Sequence, residues 1–455
     1  MSPINTMQVI RGQSDQPAAS NLIMNQDPEK ANSVEQLSAY SDGNDQSADA
    51  QDVQPLPPPD GGLMAWVQVL LMHIVFFNTW GVANGFGIFQ EYYSKTLDQS
   101  QSAISWIGSV QMFFLFLVGV VSGRATDAGY FKITFTLGVF LQVFGIFMTS
   151  LCTQYWQIFL SQAVCLGLGN GCTFCPALAV LSTYFKRNRA LAVGLAAAGA
   201  ATGGLVYPAL INQLINHDDV GFPWAMRAMG FIMLATYLPC LIWFTPRIPP
   251  RKTGPWIDYS ALREVPFVAF TLCMFLNFWG LYFAFFYMGT FARDKIHASE
   301  PANLIMVLNA VGIVGRIVPN IIAERWTGLL NITIPLSALA AILIYCWAAV
   351  TTEAGLYAFA IVNGFVAAAL QALFPTLATT MSPDPSKAGT RVGMVLSVVG
   401  IALLIGPSIS GILIERGHGD YLYAQILAGS VVFLGAMVGI VVRIAKGGWV
   451  LRIKV

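Results

Sequence analysis

From Ala65 almost to the end of the chain, long apolar runs alternate with short polar breaks, and the runs are apolar on every side rather than along one stripe. Each is about 18 to 25 residues long, enough for a helix to cross a hydrocarbon layer of about 30 Å. The pattern predicts twelve spans, at 65–89, 103–124, 132–150, 156–181, 189–213, 224–245, 264–291, 301–323, 331–350, 355–380, 388–413 and 422–444. The expected fold class is therefore an all-α membrane protein with twelve transmembrane helices.

Residues 1–59 break the pattern. They are rich in Ser, Gln, Asn, Asp and Ala with few aromatics, and such a segment cannot bury enough apolar surface to offset the entropy of ordering. A disordered cytoplasmic tail is expected there. Pro57, Pro58 and Pro59 close it, and Asp60 stands where a carboxylate would cap the first helix. No basic segment followed by a short apolar core precedes the first span, so that span is expected to direct insertion itself.

A second regularity runs through the spans. Asn78, Trp80 and Gly81 recur 199 positions later as Asn277, Trp279 and Gly280, and Pro176, Gly194 and Pro208 recur at the same offset as Pro375, Gly393 and Pro407. Six matches at one offset, joining corresponding spans, predict two six-helix repeats. The expected bundles are 60–245 and 264–455, joined by a cytoplasmic linker at 246–263. With the N-terminus in the cytoplasm, the inner loops and C-terminal tail hold sixteen Lys and Arg, whereas the outer loops hold only Lys95, Arg293, Lys295 and Arg416. That asymmetry follows the positive-inside rule, and an even number of spans returns the C-terminus to the cytoplasm. With no retention or vacuolar signal recognised, the expected location is the cell membrane.

Composition narrows the function. Of the 455 residues, 56% are hydrophobic and 10% are charged, against about a quarter charged in soluble domains. A net charge of +1 offers no basic field for nucleic acid, so the expected partners are the bilayer and a small-molecule substrate, with any accessory membrane protein unassigned. All seven cysteines fall within apolar runs and read as small hydrophobes. Cys172 and Cys175 have no His or second Cys pair to complete a metal site, so no metal ligand is assigned. The absence of a GxxxxGK[ST] loop argues against ATP-driven pumping in this chain, and no cofactor is expected. A membrane enzyme would cluster catalytic groups, but His73, His217, His297 and His418 are scattered, so no catalytic residue is assigned. A non-transporting receptor would need a folded ligand or signalling domain, which the short loops do not supply. Solute transport is the expected function.

Gly123-Arg-Ala-Thr-Asp127-Ala-Gly129-Tyr-Phe-Lys132 resembles the loop between helices 2 and 3 of many major facilitators. A degraded copy, Asn320, Glu324, Arg325 and Gly328, lies between helices 8 and 9. In either position a carboxylate can bind the N-terminus of a helix in the other bundle and hold the cytoplasmic gate shut, with helix 11 near Ala388 as the target of Asp127. Asp127 and Glu324 are the candidate gating residues. Asp60-Gly61-Gly62-Leu-Met-Ala-Trp66 and Tyr184-Phe185-Lys186-Arg187-Asn-Arg189-Ala-Leu-Ala-Val-Gly194 resemble the paired signatures of the monocarboxylate porters, and Gly85 to Tyr93 is similar to the fungal members in particular. The resemblance runs from about Pro57 to the end and implies the major facilitator fold with alternating access.

Arg316 is the one basic residue well inside a span. A guanidinium there costs at least a few kcal/mol unless it meets a polar cavity, so it is a functional candidate, with anchoring of the helix end as the competing role. The resemblance implies that Arg316, within Gly312-Ile-Val-Gly-Arg316, contacts a substrate carboxylate. It also implies that Phe374, within Leu373-Phe374-Pro-Thr376-Leu377, lines the substrate cavity. Asn84, Tyr282 and Asn309 complete the candidate substrate-binding set as polar or aromatic groups within spans. Two departures stand out. The aspartate that helps carry the proton in animal monocarboxylate porters is Gly312 here, and their helix 1 lysine is missing from Val82-Ala83-Asn84-Gly85. Proton symport is therefore weakly supported. The expected function is a secondary active or facilitative transporter moving a small organic anion or carboxylated metabolite. Export of a fungal secondary metabolite is the alternative, and a membrane receptor a more distant one.

Overall fold

The structure is a computed structural model that describes residues 58–448 apart from 219, 250–255 and 383–386. The expected tail at 1–59 falls almost wholly outside the described residues. Twelve helices are long and apolar enough to cross a membrane: α1 (Leu63–Thr96), α2 (Gln101–Asp127), α3 (Phe131–Thr149), α4 (Tyr155–Ser182), α5 (Arg189–Ile215), α6 (Phe222–Trp243), α7 (Val265–Ile296), α8 (Pro301–Thr327), α9 (Leu329–Trp347), α10 (Glu353–Thr380), α11 (Gly389–Arg416) and α12 (Leu422–Gly447). There is no strand among the described residues. Helices suit lipid because each satisfies its own backbone donors and acceptors. The protein is a multi-pass membrane protein.

The helices match the hydropathy spans closely, with α1 the main exception. It runs on to Thr96 rather than stopping near 89, because its polar residues find partners. Gln90 Nε2 donates to Gln101 Oε1 at 3.0 Å and the Tyr93 hydroxyl to Gln162 Oε1 at 2.6 Å. The helix is interrupted at Thr79 and Gly85. A Cβ on Gly85 would lie 2.8 Å from Pro208 Cγ, so the second break lets the α5 proline seat against it.

Asp60 does not cap α1. The N-cap is Gly62, whose φ of 85° turns the chain and directs the carboxylate elsewhere. Asp60 instead accepts the backbone N–H groups of Lys186 and of Arg187, the latter at 2.7 Å, and Asn188 Nδ2 donates to its carbonyl at 3.3 Å. It fastens the turn before α5. Lys186 first, then Arg187, holds its carboxyl below the usual carboxylate range.

Helices α1 and α5 pack together, as do α2 and α4, α7 and α12, and α8 and α10. Two further seams, α2 with α11 and α5 with α8, join the six helices before the α6–α7 connection to the six after it. The 199-residue offset reappears as geometry. Asn78 Nδ2 donates to Thr236 Oγ1 of α6 at 3.0 Å, and Asn277 Nδ2 lies 2.7 Å from where a Cβ on Gly435 of α12 would stand. Small residues set the closest approaches. A Cβ on Gly81 would lie 2.6 Å from Gly203 Cα, backbone that cannot rotate away. Gly123 has nothing within 4 Å of its would-be Cβ. Gly81→Ala is therefore expected to destabilise by about 1–3 kcal/mol through forced separation of α1 and α5, and Gly123→Ala to be neutral or slightly stabilising. Thermal unfolding of both variants in detergent checks the pair, and equal midpoints would refute the close-packing account.

Candidate functional site

A cluster of rings contributed by five helices lies in the packed interior. Trp80 of α1 lies 5.4 Å from Phe116 of α2, 5.6 Å from Phe174 of α4 and 6.3 Å from Tyr282 of α7, ring centre to ring centre. Phe374 of α10 lies 4.8 Å from Phe278 and 6.2 Å from Phe116. Such contacts add about 0.5–1.5 kcal/mol each beyond area burial. Every one of these rings is buried, as are Asn84 and Arg316. The centre is thus sealed from both faces.

Polar groups thread this cluster. The Tyr282 hydroxyl donates to Asn84 Oδ1 at 3.3 Å, and the Arg316 guanidinium lies within electrostatic range of the same hydroxyl. Arg316 Nη2 donates to Gln371 Oε1 of α10 at 2.6 Å and Nη1 to the Gly312 carbonyl at 3.3 Å. Only 1% of Arg316 is exposed, so the guanidinium is enclosed by protein on every side. Glycine at 312 creates its space, since a Cβ there would lie 2.8 Å from Nη1. Asn84, Tyr282, Arg316 and Phe374 are therefore brought together. Asn309 is not: its Nδ2 donates to the Ile305 carbonyl at 2.9 Å and its Oδ1 is pressed against Gly204 across the α5–α8 seam. Gln371, a polar group within a span that the sequence also offered as a possible cavity residue, belongs to the cluster, and so does Trp80, which the candidate set omitted. The signal for Trp80 was its place one turn before Asn84. His73, bonded to the Leu195 carbonyl and Thr202 Oγ1, is a packing residue.

The two faces are closed differently. On the face bearing Asp60, Glu324 lies beside Leu191 of the first turn of α5, the two lining one cavity, and Asp127 Oδ2 lies 4.0 Å from a Cβ built on Gly389 at the start of α11. Glu324 borders a cavity of about 340 Å³ with Arg187, Asn188, Leu191, Ile321 and Arg325. On the opposite face, Glu415 at the end of α11 accepts the Ser102 N–H of α2 at 2.8 Å, and Arg293 Nη1 of α7 donates to Ser94 Oγ of α1 at 2.9 Å. The α2–α11 pair thus has a carboxylate near the partner's N-terminus at each end.

The connection between α6 and α7 straps the Asp60 face. The Arg124 guanidinium of α2 stacks on Trp256, 4.1 Å from the ring centre. Asp258 Oδ2 accepts from Arg391 Nε of α11 at 3.0 Å, and Glu264 takes both Arg391 terminal nitrogens at 2.6 and 2.7 Å. Ser260 first, then Arg391 and Lys387, depress Asp258 to about 2. A depressed carboxylate stabilises fully above its unfolded value of about 3.9 and loses that contribution as the pH falls towards 2. The melting temperature of Asp258→Asn is therefore expected to lie below wild type by a constant gap from pH 7 to 5. The gap should close below about pH 4, and a gap that persists there would refute the ionic account.

Residues 70–357 match the Major Facilitator Superfamily. An MFS-type transporter of Gibberella zeae is 39% identical over 88% of this chain and 90% of its own. The MFS-type transporter dbaD of Emericella nidulans is 40% identical over 79% and 81%, and the aspyridones efflux protein apdF of the same organism is 35% identical over 84% and 78%. With these relatives and twelve apolar helices around a sealed polar centre, the chain belongs to the major facilitator superfamily and is a membrane transporter.

Proposed function

We propose that this transporter exports an acidic secondary metabolite across the cell membrane by alternating access, with Arg316 as the charge partner of the solute. The carrying observation is Arg316 itself: a buried guanidinium bonded to the Gln371 amide and the Gly312 carbonyl, with no carboxylate partner among the described residues. A buried cation without a counter-ion is costly, so an anion gains more there than in water. Export is favoured over uptake by the similarity to a protein named for aspyridones efflux. Descent from the monocarboxylate porters is part of this reading, supported by the paired signature stretches around Asp60 and Tyr184.

In this scheme bundles 60–245 and 264–455 rock about the Trp80–Tyr282–Arg316 centre, with 246–263 as the linker. Asp127 and Glu324 hold the Asp60 face closed. That face is cytoplasmic, as the excess of basic residues there supports, and both termini then lie inside. Phe374, Asn84 and Tyr282 shape the binding centre, while Asn309 acts on the α5–α8 seam.

The test is retention of acidic metabolites in yeast cells expressing the protein at the plasma membrane. Wild type is expected to lower the intracellular level of at least one member of an acidic metabolite panel, and Arg316→Met to restore it. Arg316→Met should change the melting temperature little, because it removes a buried unpaired charge but leaves Gln371 Oε1 without its donor. Equal retention with and without the transporter for every acidic solute would overturn the reading.

A further inference from the structure

The hydrogen-bonding capacity at the centre is lopsided. Of the two amides beside Arg316 and Tyr282, both oxygens are used: Asn84 Oδ1 takes the Tyr282 hydroxyl and Gln371 Oε1 takes Arg316. The donors are not. Trp80 Nε1, Asn84 Nδ2 and Gln371 Nε2 are buried with no partner among the described residues. An unmade bond at a buried donor is expensive, so a solute that enters this centre is selected for oxygen acceptors and against donors.

Geometry refines the choice further. Two of the five Arg316 N–H donors are taken, one by Gln371 and one by the Gly312 carbonyl, so the guanidinium still carries its charge and further donors for an oxyanion. The free donors are spread over three residues on two helices, Trp80 and Asn84 of α1 and Gln371 of α10, rather than gathered at one point. Between them stand Trp80, Phe116, Phe278, Tyr282 and Phe374. Rings so placed offer faces and edges to a flat conjugated solute and little to a small aliphatic one.

We infer that the site selects a planar conjugated oxyanion, an acidic enol or phenol with further oxygens along its edge, rather than a small aliphatic carboxylate. This deepens the export reading and rests on it for the identification of the centre as the solute site. The delocalised charge meets Arg316, the edge oxygens meet the Trp80, Asn84 and Gln371 donors, and the ring system enters between the aromatic side chains when one face opens.

The experiment is equilibrium binding of tritiated 4-hydroxycoumarin, an acidic enol, to the full-length protein in detergent. Unlabelled 4-methoxycoumarin, its neutral isostere, 1-naphthoate, a flat carboxylate, and lactate serve as competitors. Saturable binding of the enolate is expected, with the ether about 10- to 100-fold weaker for want of the charged hydrogen bond. Lactate should not displace the enolate, and 1-naphthoate should bind less tightly than it. Arg316→Met should abolish the preference for enolate over ether, Arg316→Lys should retain part of it, and Trp80→Phe should weaken both ligands alike. No saturable enolate binding, displacement by lactate at matching concentration, tighter binding of 1-naphthoate, or a preference that survives Arg316→Met would each overturn the inference. The comparison of enolate with ether on the wild-type protein needs no variant to fold. Counterflow in proteoliposomes separates the two readings: enolate binding without flux overturns export and leaves the site, whereas flux of other acidic solutes without enolate binding overturns the site and leaves export.

Discussion

Hydrocarbon offers no hydrogen-bond partner, and the structure is organised around that deficit. Helices settle the backbone, and most buried side chains settle theirs locally: Thr79, Thr149 and Ser410 donate to carbonyls four residues back, and Asn277, Asn309 and Asn320 do the same with an amide. Polar groups that cannot close on their own helix reach across to another. Tyr207 reaches Asn78 and Tyr237 reaches Gln142. Unpartnered polar atoms remain elsewhere too, but at the centre they accompany a buried cation that has no carboxylate partner among the described residues. A polar deficit maintained in the most buried part of the molecule is the physical basis for placing the solute there.

The same constraint governs the seams. Gly81, Gly204, Gly315 and Gly364 are positions where a side chain would press on backbone or on a polar group of a neighbouring helix. Close approach lets a carboxylate on one helix reach the first turn of another, as Glu324 lies beside Leu191 and Glu415 reaches Ser102. Apolar packing alone would hold the helices without giving the interface a definite register, since lipid tails solvate Leu and Val as well as protein does.

Much of this was legible in the sequence, and for identifiable reasons. Spans of apolar residues announce themselves, and Arg316, Asn84 and Tyr282 are conspicuous because polar groups within such spans are rare. Trp80 escaped notice because an indole in an apolar helix looks like any lipid-facing ring until its neighbours are known. The bond between Tyr282 and Asn84 joins residues 198 apart, and periodicity carries no information about such pairings. Asp60 was misread for a local reason: the carboxylate was in the right place to cap α1, but the positive φ at Gly62 points the chain away, and the turn before α5 takes the bond instead. The extension of α1 beyond 89 was hidden because hydropathy counts Gln90 and Glu91 as solvent-seeking, whereas both are buried.

The antiparallel α2–α11 pair has a consequence for energetics. Each end places one acidic side chain near one helix start, Asp127 towards α11 and Glu415 on α2, and interactions of this kind are worth about 0.3–1 kcal/mol, up to about 2 when partly buried. In the proposed cycle one end parts while the other serves as the fulcrum. The two ends are not matched, however: at the Asp60 end the α6–α7 connection also holds both helices, Trp256 against Arg124 of α2 and Asp258 with Glu264 on Arg391 of α11. Parting that end therefore costs more, and the pair behaves as a beam tilted towards opening on the opposite face.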